Sequence, residues 1–109
     1  MSLFKHLFTN IQIDTRLIGT WFSDLTDKNT FQGYGDVKMT FERSGKLTYE
    51  IKDGAKKQYV YLTFSTKGDI LITDQPSSSR KEQTSFYFDK NQKLILKFNG
   101  VESRFVRKR

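Results

Sequence analysis

Three aspartates lie in the one long connection of the chain, and paired carboxylates are the groups that general acid–base catalysis often uses. The stretch SDLTDKNTFQGYGD carries Asp24, Asp27 and Asp36, and it also carries Phe31 and Tyr34. Mixed aromatic and polar side chains on an exposed loop are typical of protein–protein interfaces. We therefore predict that this loop binds a partner, with carboxylate catalysis as the less favoured alternative.

Other catalytic chemistries lack the residues that they need. His6 is the only histidine and the chain has no cysteine, so a histidine-based triad, a multi-histidine metal site and a thiolate site are all excluded. The glycines of Gly33-Tyr34-Gly35 resemble a flexible turn rather than a phosphate-binding loop. We predict no catalytic residue, no metal and no cofactor, and hence a protein that is not an enzyme.

The elements that must position these residues are short strands. Turn signals rich in Gly, Asn and Asp recur after residue 40, ending with Asn99-Gly100, which is a strong hairpin signal. Apolar residues alternate with period two between the turns, as expected for half-buried strands. The predicted strands are GTWFSD, VKMTFE, KLTYEI, YVYLTFS, DILIT, QTSFYF, KLILKF and VESRFVRK.

All strands after the first are joined by short links, and no segment is suited to a crossover helix, so we predict antiparallel pairing. We predict an all-β fold, an eight-stranded antiparallel up-and-down β-barrel, with a two-sheet sandwich as the alternative. Residues 17–109 form the barrel. Residues 1–16 form an amphipathic helix or arm that caps one end, with helical spacing over residues 2–10.

Gly19-Thr20-Trp21 on the first strand, the eight-strand meander and an arginine on the last strand resemble the lipocalin-like, or calycin, superfamily. LITDQPSS and SRFVR are similar to small bacterial lipocalin-like domains, and the resemblance covers roughly residues 17–107. It implies that Trp21, preceded by Gly19, closes the barrel end where the first strand begins, with an arginine over its ring.

Two arginines are candidates for this position over Trp21. An Asn-Gly hairpin pairs Phe98 with Val101, which places Arg107 on the core face beside Trp21. Superfamily analogy instead selects Arg104, whose Arg-x-Val sequence resembles the Arg-x-Tyr of fatty-acid-binding proteins. In those proteins the arginine binds a carboxylate, whereas here a valine stands in place of the tyrosine.

These observations predict a non-enzymatic binding module that acts through its loops. The first prediction is a small cytoplasmic immunity-type protein that neutralises a protein toxin. In one form of this hypothesis the toxin is a nuclease and the aspartates imitate the phosphates of its substrate, although the net charge of +7 argues against a generally acidic mimic. The partner-binding residues would be Asp24, Asp27, Phe31, Tyr34 and Asp36, with Asp74 in the second long loop, TDQPSSSRK.

Two alternatives remain. One is a carrier of a small apolar ligand such as a fatty acid, which is disfavoured because strands of five to seven residues lined by Phe, Leu, Ile, Tyr and Met should fill the interior. The other is a single-stranded nucleic-acid binder, considered unlikely despite a net charge of +7. It would stack bases on Tyr59 and Tyr61 and use the lysines of the KDGAKK hairpin and a basic end at Arg104, Arg107, Lys108 and Arg109. No membrane association is predicted, since no segment is long and apolar enough to span a bilayer.

Overall fold

The computed structural model describes residues 12–78 and 80–109. The described chain contains a 3-10 turn at Thr15–Leu17, one short helix, α1, at Lys28–Gly33, and eight strands. The strands are β1 Gly19–Ser23, β2 Asp36–Phe41, β3 Lys46–Asp53, β4 Lys56–Lys67, β5 Ile70–Gln75, β6 Arg80–Phe88, β7 Leu94–Phe98 and β8 Val101–Val106.

The eight strands form a closed antiparallel barrel in sequence order, which confirms the predicted fold. Each strand pairs with its neighbour in the chain, and β8 returns to pair with β1. Asn99 and Gly100 both have positive φ, 52° and 79°, as a type I′ hairpin turn requires, and they pair Phe98 with Val101.

Two ends of the barrel are distinguished below. The floor is the end where β1 begins, and it includes the turns 42–45, 67–70 and 89–93. The mouth is the opposite end, formed by the link 24–35, the hairpin 53–56, the loop 75–80 and the turn 99–100. The predicted helix over residues 2–10 lies outside the described residues.

Residues 12–17 pack on the floor of the barrel. The Thr66 amide donates to the carbonyl of Gln12 at 2.7 Å, and the Asp14 amide donates to Oγ1 of Thr66 at 2.8 Å. Leu17 is completely buried within the core. The chain thus covers the floor before β1 begins.

The core occupies the floor half of the barrel, where period-two alternation turns large apolar side chains inward. Its largest fully buried members include Trp21, Met39, Phe41, Leu47 and Phe105. Aromatic edges meet faces inside it, since the rings of Phe41 and Phe64 lie 4.9 Å apart at 90°. No helix among the described residues could cross a lipid bilayer.

The strands on one side of the barrel are longer than the sequence predicts. β3, β4 and β6 have 8, 12 and 9 residues, and they extend the wall beyond the apolar core towards the mouth. The predicted strand length of five to seven residues is therefore wrong for β3, β4 and β6. Inward positions there are mixed: Gln58 and Glu82 are polar, whereas Ile51 and Val60 are apolar.

Helix α1 replaces part of the connection that the sequence suggested was irregular. Asp27 caps its N-terminus, because Oδ2 of Asp27 accepts from the amide of Thr30 at 3.1 Å and from its hydroxyl at 2.6 Å. The Thr30 side chain is fully buried, and its Oγ1 accepts from the Arg104 amide on β8 at 2.7 Å. The helix is thereby attached to the edge of the mouth.

Candidate functional site

Trp21 and Arg107 together close the floor. The guanidinium carbon of Arg107 lies 3.7 Å from the centre of the indole ring, within cation–π range. Indole Nε1 donates to the carbonyl of Leu17 at 2.9 Å, so the polar atom of the buried ring has a partner. Arg107 also donates to the carbonyls of Arg16, at 2.8 Å, and Ile18, at 3.0 Å.

Gly19 makes room for this arrangement. Its φ of +114° is a conformation that side-chain-bearing residues rarely adopt, and a Cβ there would lie 2.7 Å from Nη1 of Arg107. The glycine of the Gly-x-Trp sequence is therefore required by both the backbone and the arginine. Burial lowers the pKa of Arg107, whose hydrogen bonds go to backbone carbonyls rather than to a carboxylate.

Arg104 lies on the opposite face of β8 from the residues that face the core. It pairs in register with Ile95, and its Nε is buried without a hydrogen-bond partner among the described residues. Of the two arginines that the sequence proposed, Arg107 is therefore the one over Trp21. The alternation of Ser103, Phe105 and Arg107 on the core face identifies it better than the superfamily analogy does.

A second C-terminal arginine connects β8 to β1. Arg109 donates from Nε to the carbonyl of Ser23 at 2.9 Å and from Nη2 to Oδ1 of Asp36 at 2.6 Å. β1 and β8 share only two residue pairs in register, so these side-chain bonds supplement a short ladder. Arg107 and Arg109, at the basic end of the chain, therefore both bond to residues that close the barrel.

The three aspartates of the link have partners within the chain. Oδ1 of Asp24 accepts from the Thr26 amide at 3.0 Å and from the Thr26 hydroxyl at 2.6 Å. The hydrogen bond from the hydroxyl lowers the pKa of Asp24. Asp27 caps α1, and Asp36 pairs with Arg109. The link therefore does not present three unpaired carboxylates to a partner.

The other residues predicted to bind a partner lie in different surroundings. Phe31 projects from α1 and is 58% exposed. Tyr34 turns inward and meets Phe105 edge to face, with ring centres 5.1 Å apart. Asp74 lies on the outer side of β5, far along the sheet from the link, and its Oδ1 is buried without a partner among the described residues.

A pocket of about 370 Å³ opens at the mouth between the end of α1 and the β7–β8 hairpin. Leu96 pairs with Ser103 and Phe98 with Val101, so the inward faces of both strands form one wall. Tyr34 forms part of the opposite wall. The remaining lining residues are Gly33 and Asn99.

Two further polar residues, Tyr49 and Glu82, lie near Tyr34, although neither lines the pocket. Burial raises the pKa of the Tyr34 phenol, and the nearby Glu82 carboxylate raises it further. Burial also raises the pKa of Tyr49 well above its usual range, with Tyr34 and Glu82 as neighbouring charges. Two phenols and a carboxylate therefore lie close enough to interact electrostatically.

The pocket residues were not singled out from the sequence, except for Tyr34. The alternation that places Phe98, Val101 and Ser103 on the inward face could have indicated the pocket, because it puts a serine on a face that is otherwise apolar. Tyr49 and Glu82 gave no such signal, since only the barrel register brings them near Tyr34.

Metal chemistry has no support in the part of the chain that the structure describes, because no three His, Cys, Asp or Glu side chains cluster there. Comparison with known proteins adds no relative: no family model, curated protein or solved structure matches the chain. Function must accordingly be argued from the geometry.

Proposed function

We propose that the chain is a non-enzymatic, lipocalin-like binding module that holds a small, mainly apolar ligand at the mouth of its barrel. The observation that carries this proposal is the pocket of about 370 Å³ between α1 and the β7–β8 hairpin. Its volume falls within the range of small-molecule sites, and apolar walls with a few polar groups are typical of such sites.

The closed floor supports entry from the mouth. Leu17, Trp21 and Arg107 occupy the opposite end, and the apolar core fills the space above them. A ligand would therefore place its apolar part against Leu96, Phe98 and Val101.

The polar groups suggest what else the ligand carries. Among the residues that line the pocket, Tyr34, Asn99 and Ser103 carry side-chain groups that can donate and accept hydrogen bonds. We infer a ligand with an apolar body and a neutral group that both donates and accepts hydrogen bonds, such as a hydroxyl or an amide.

Dye binding tests the pocket directly. Anilinonaphthalene sulfonate gains fluorescence in apolar sites, and we expect saturable binding of one dye per chain. Val101→Trp should abolish it, because Val101 lines the pocket from the rim and a larger side chain would fill the space.

Lys97→Trp is the matched control, since Lys97 is exposed on the outer side of the neighbouring strand and lines no part of the pocket. It should bind the dye as the wild type does. Equal binding by Val101→Trp and the wild type, or no saturable binding by the wild type, would contradict the proposal.

A protein partner at the same end is the second candidate function, and the exposure of Phe31 favours it. Phe98 and Val101, which line the pocket, are 44% and 50% exposed and form an apolar rim on one side of it. An immunity-type protein would use this rim. The nuclease-mimic form of that prediction has less support, because Asp24, Asp27 and Asp36 have intramolecular partners.

Affinity capture from extracts of the organism that makes this protein tests this candidate function. The wild type should retain one polypeptide in stoichiometric amount, and Phe31→Ser should lose it. Lys28→Ser, a change at another exposed position of α1, is the control that should retain the partner. A partner retained equally by both variants would exclude the rim around Phe31 as its contact site.

On composition, the absence of cysteine supports a reducing, cytoplasmic location for either function.

A further inference from the structure

The outer surface of β2, β3 and β4 combines exposed aromatic rings with lysines. Outward positions alternate with the core positions along each strand, and the register aligns them into rows. One row runs Lys38, Glu50, Tyr59, and the next runs Thr40, Thr48, Tyr61. We call this surface the tyrosine face.

Tyr59 and Tyr61 project side by side from the tyrosine face. Their rings lie nearly parallel, at 11°, with centres 6.4 Å apart, and they are 50% and 57% exposed. The Tyr59 hydroxyl donates to Oε1 of Glu50 at 3.1 Å, which holds the ring in place. Two half-exposed, nearly parallel rings form a surface on which flat groups can stack.

Positive charge surrounds the two rings. Nζ of Lys46 lies 5.7 Å from the centre of the Tyr61 ring. Lys52 and Lys57 pair in register towards the mouth, and Lys38 lies two strands away in the row of Tyr59. Glu50 and Asp36 are the acidic outward residues of these strands, and Asp36 is paired with Arg109. The face is therefore basic as well as aromatic.

We propose that the tyrosine face binds single-stranded nucleic acid, with bases stacking on Tyr59 and Tyr61 and lysines contacting phosphates. Aromatic platforms flanked by positive charge are how proteins bind single strands with little sequence preference. The threonine hydroxyls of the second row are further donors for phosphate or sugar oxygens.

The sequence-based hypothesis names the same two tyrosines and the lysines of the KDGAKK hairpin, but it also includes the basic C-terminus, which is not part of this face. Arg107 covers Trp21 and Arg109 bonds to β1 and Asp36, so both guanidinium groups already have partners. The lysines of β2, β3 and β4 form none of the ion pairs found among the described residues. They are therefore the better candidates for phosphate contacts.

Fluorescence anisotropy with a labelled oligothymidylate of about twelve nucleotides tests the proposal, since single-strand sites span that order of length. The wild type should bind, and an unlabelled duplex should compete more weakly than the unlabelled single strand. Replacing both rings, Tyr59→Ala with Tyr61→Ala, should weaken binding about tenfold or more. Tyr61→Phe should retain the affinity, because stacking needs the ring and not the hydroxyl.

Salt dependence tests the lysines separately. Each phosphate contact contributes about 0.7 to the slope of log affinity against log salt concentration for single strands. Lys46→Gln with Lys52→Gln should therefore lower the slope by about 1.4 if both lysines contact phosphates.

Matched controls lie elsewhere on the barrel. Tyr87 on β6 is 45% exposed, and its hydroxyl donates to Glu102 at 3.0 Å, much as Tyr59 donates to Glu50. Tyr87→Ala and Lys90→Gln should leave both affinity and slope unchanged. Val101→Trp should also leave them unchanged, which separates this proposal from the ligand site at the mouth.

Circular dichroism and Trp21 fluorescence would verify that each variant is folded. The proposal is overturned if the wild type does not bind the single strand. It is equally overturned if the double alanine variant binds like the wild type, or if Tyr87→Ala weakens binding as much.

Discussion

Gly19 and Arg107 occupy adjoining space at the floor, and this contact explains why a glycine precedes Trp21 in the Gly-x-Trp sequence. A methyl group at residue 19 would meet Nη1 of Arg107 at 2.7 Å, and the φ of +114° would strain any side chain. The strain and the clash are separable, because only the clash depends on the arginine.

We predict that Gly19→Ala lowers the free energy of unfolding by about 2 kcal/mol or more, from backbone strain and displacement of the guanidinium. In an Arg107→Ala background the same change should cost less, because only the strain remains. Urea unfolding followed by Trp21 fluorescence measures both values. Gly33→Ala is the control, because a Cβ there has open space and the φ is ordinary for side-chain-bearing residues. Equal costs in the two backgrounds would contradict the proposed contact.

Tyr49 predicts how stability depends on alkaline pH. Burial raises the pKa of its phenol in the folded state, so the folded chain retains a proton that the unfolded chain releases near pH 10. This contribution to stability is complete below the unfolded pKa and is lost as the pH rises above it, by up to about 1.4 kcal/mol per pH unit.

We therefore expect Tyr49→Phe to flatten the decline in the free energy of unfolding above pH 10. Denaturant unfolding at pH values on both sides of 10 measures this dependence. Tyr61→Phe, on the exposed outer side of β4, is the matched control and should keep the slope of the wild type. A wild-type slope in Tyr49→Phe would show that this phenol ionises as freely in the folded chain as in the unfolded one.

At the scale of elements, Thr30 decides whether α1 stays attached to the barrel. Its hydroxyl donates to Asp27 and its oxygen accepts from the Arg104 amide, which would otherwise lack a partner beside the short β1–β8 ladder. Six residues without strong apolar periodicity could not form a stable helix alone.

We predict that Thr30→Val costs about 1–3 kcal/mol, since valine keeps the shape but leaves the Arg104 amide unsatisfied. Hydrogen exchange of that amide should accelerate, while the amides of β3 and β4 keep their protection. Asn29→Ala, at an exposed position of α1, should change neither quantity appreciably. Unaltered exchange at Arg104 in Thr30→Val would contradict the assigned hydrogen bond.

The sequence predicts the strands well because each was specified locally. Period-two alternation and the Asn99-Gly100 turn act over a few residues, and the structure confirms both. Helix α1 was missed because its stability comes from Asp27 and from a contact with β8, 74 residues away from Thr30. β4 was predicted too short because its polar ends, such as Lys57 and Thr66, pair through backbone bonds that side-chain pattern does not reveal.

The candidate site was predicted less completely than the fold. The sequence predicts Tyr34 as an interface residue, but no pattern in it indicates that this side chain turns into the mouth. Glu82 and Tyr49 are brought near it only by the order and register of the closed barrel. The proximity in sequence of three aspartates suggests partner binding or carboxylate catalysis. In the structure, however, Asp24, Asp27 and Asp36 each have a partner within the chain.

At the scale of the whole molecule, the two ends of the barrel have different compositions. The floor is closed by Leu17, Trp21 and Arg107, while the mouth keeps an apolar pocket with phenols and a carboxylate nearby. A closed barrel has no exposed strand edges. Because Leu17, Trp21 and Arg107 close the floor, the mouth is the end at which a ligand can bind. This asymmetry is the basis of the proposed function.

Native mass spectrometry of the protein purified from its own cells tests the proposed function most directly. We predict a noncovalent adduct with the mass of one small molecule per chain, which is present in the wild type and Lys97→Trp and absent from Val101→Trp. A wild-type chain that carries no small molecule, or an adduct that persists in Val101→Trp, would contradict a ligand site at the mouth.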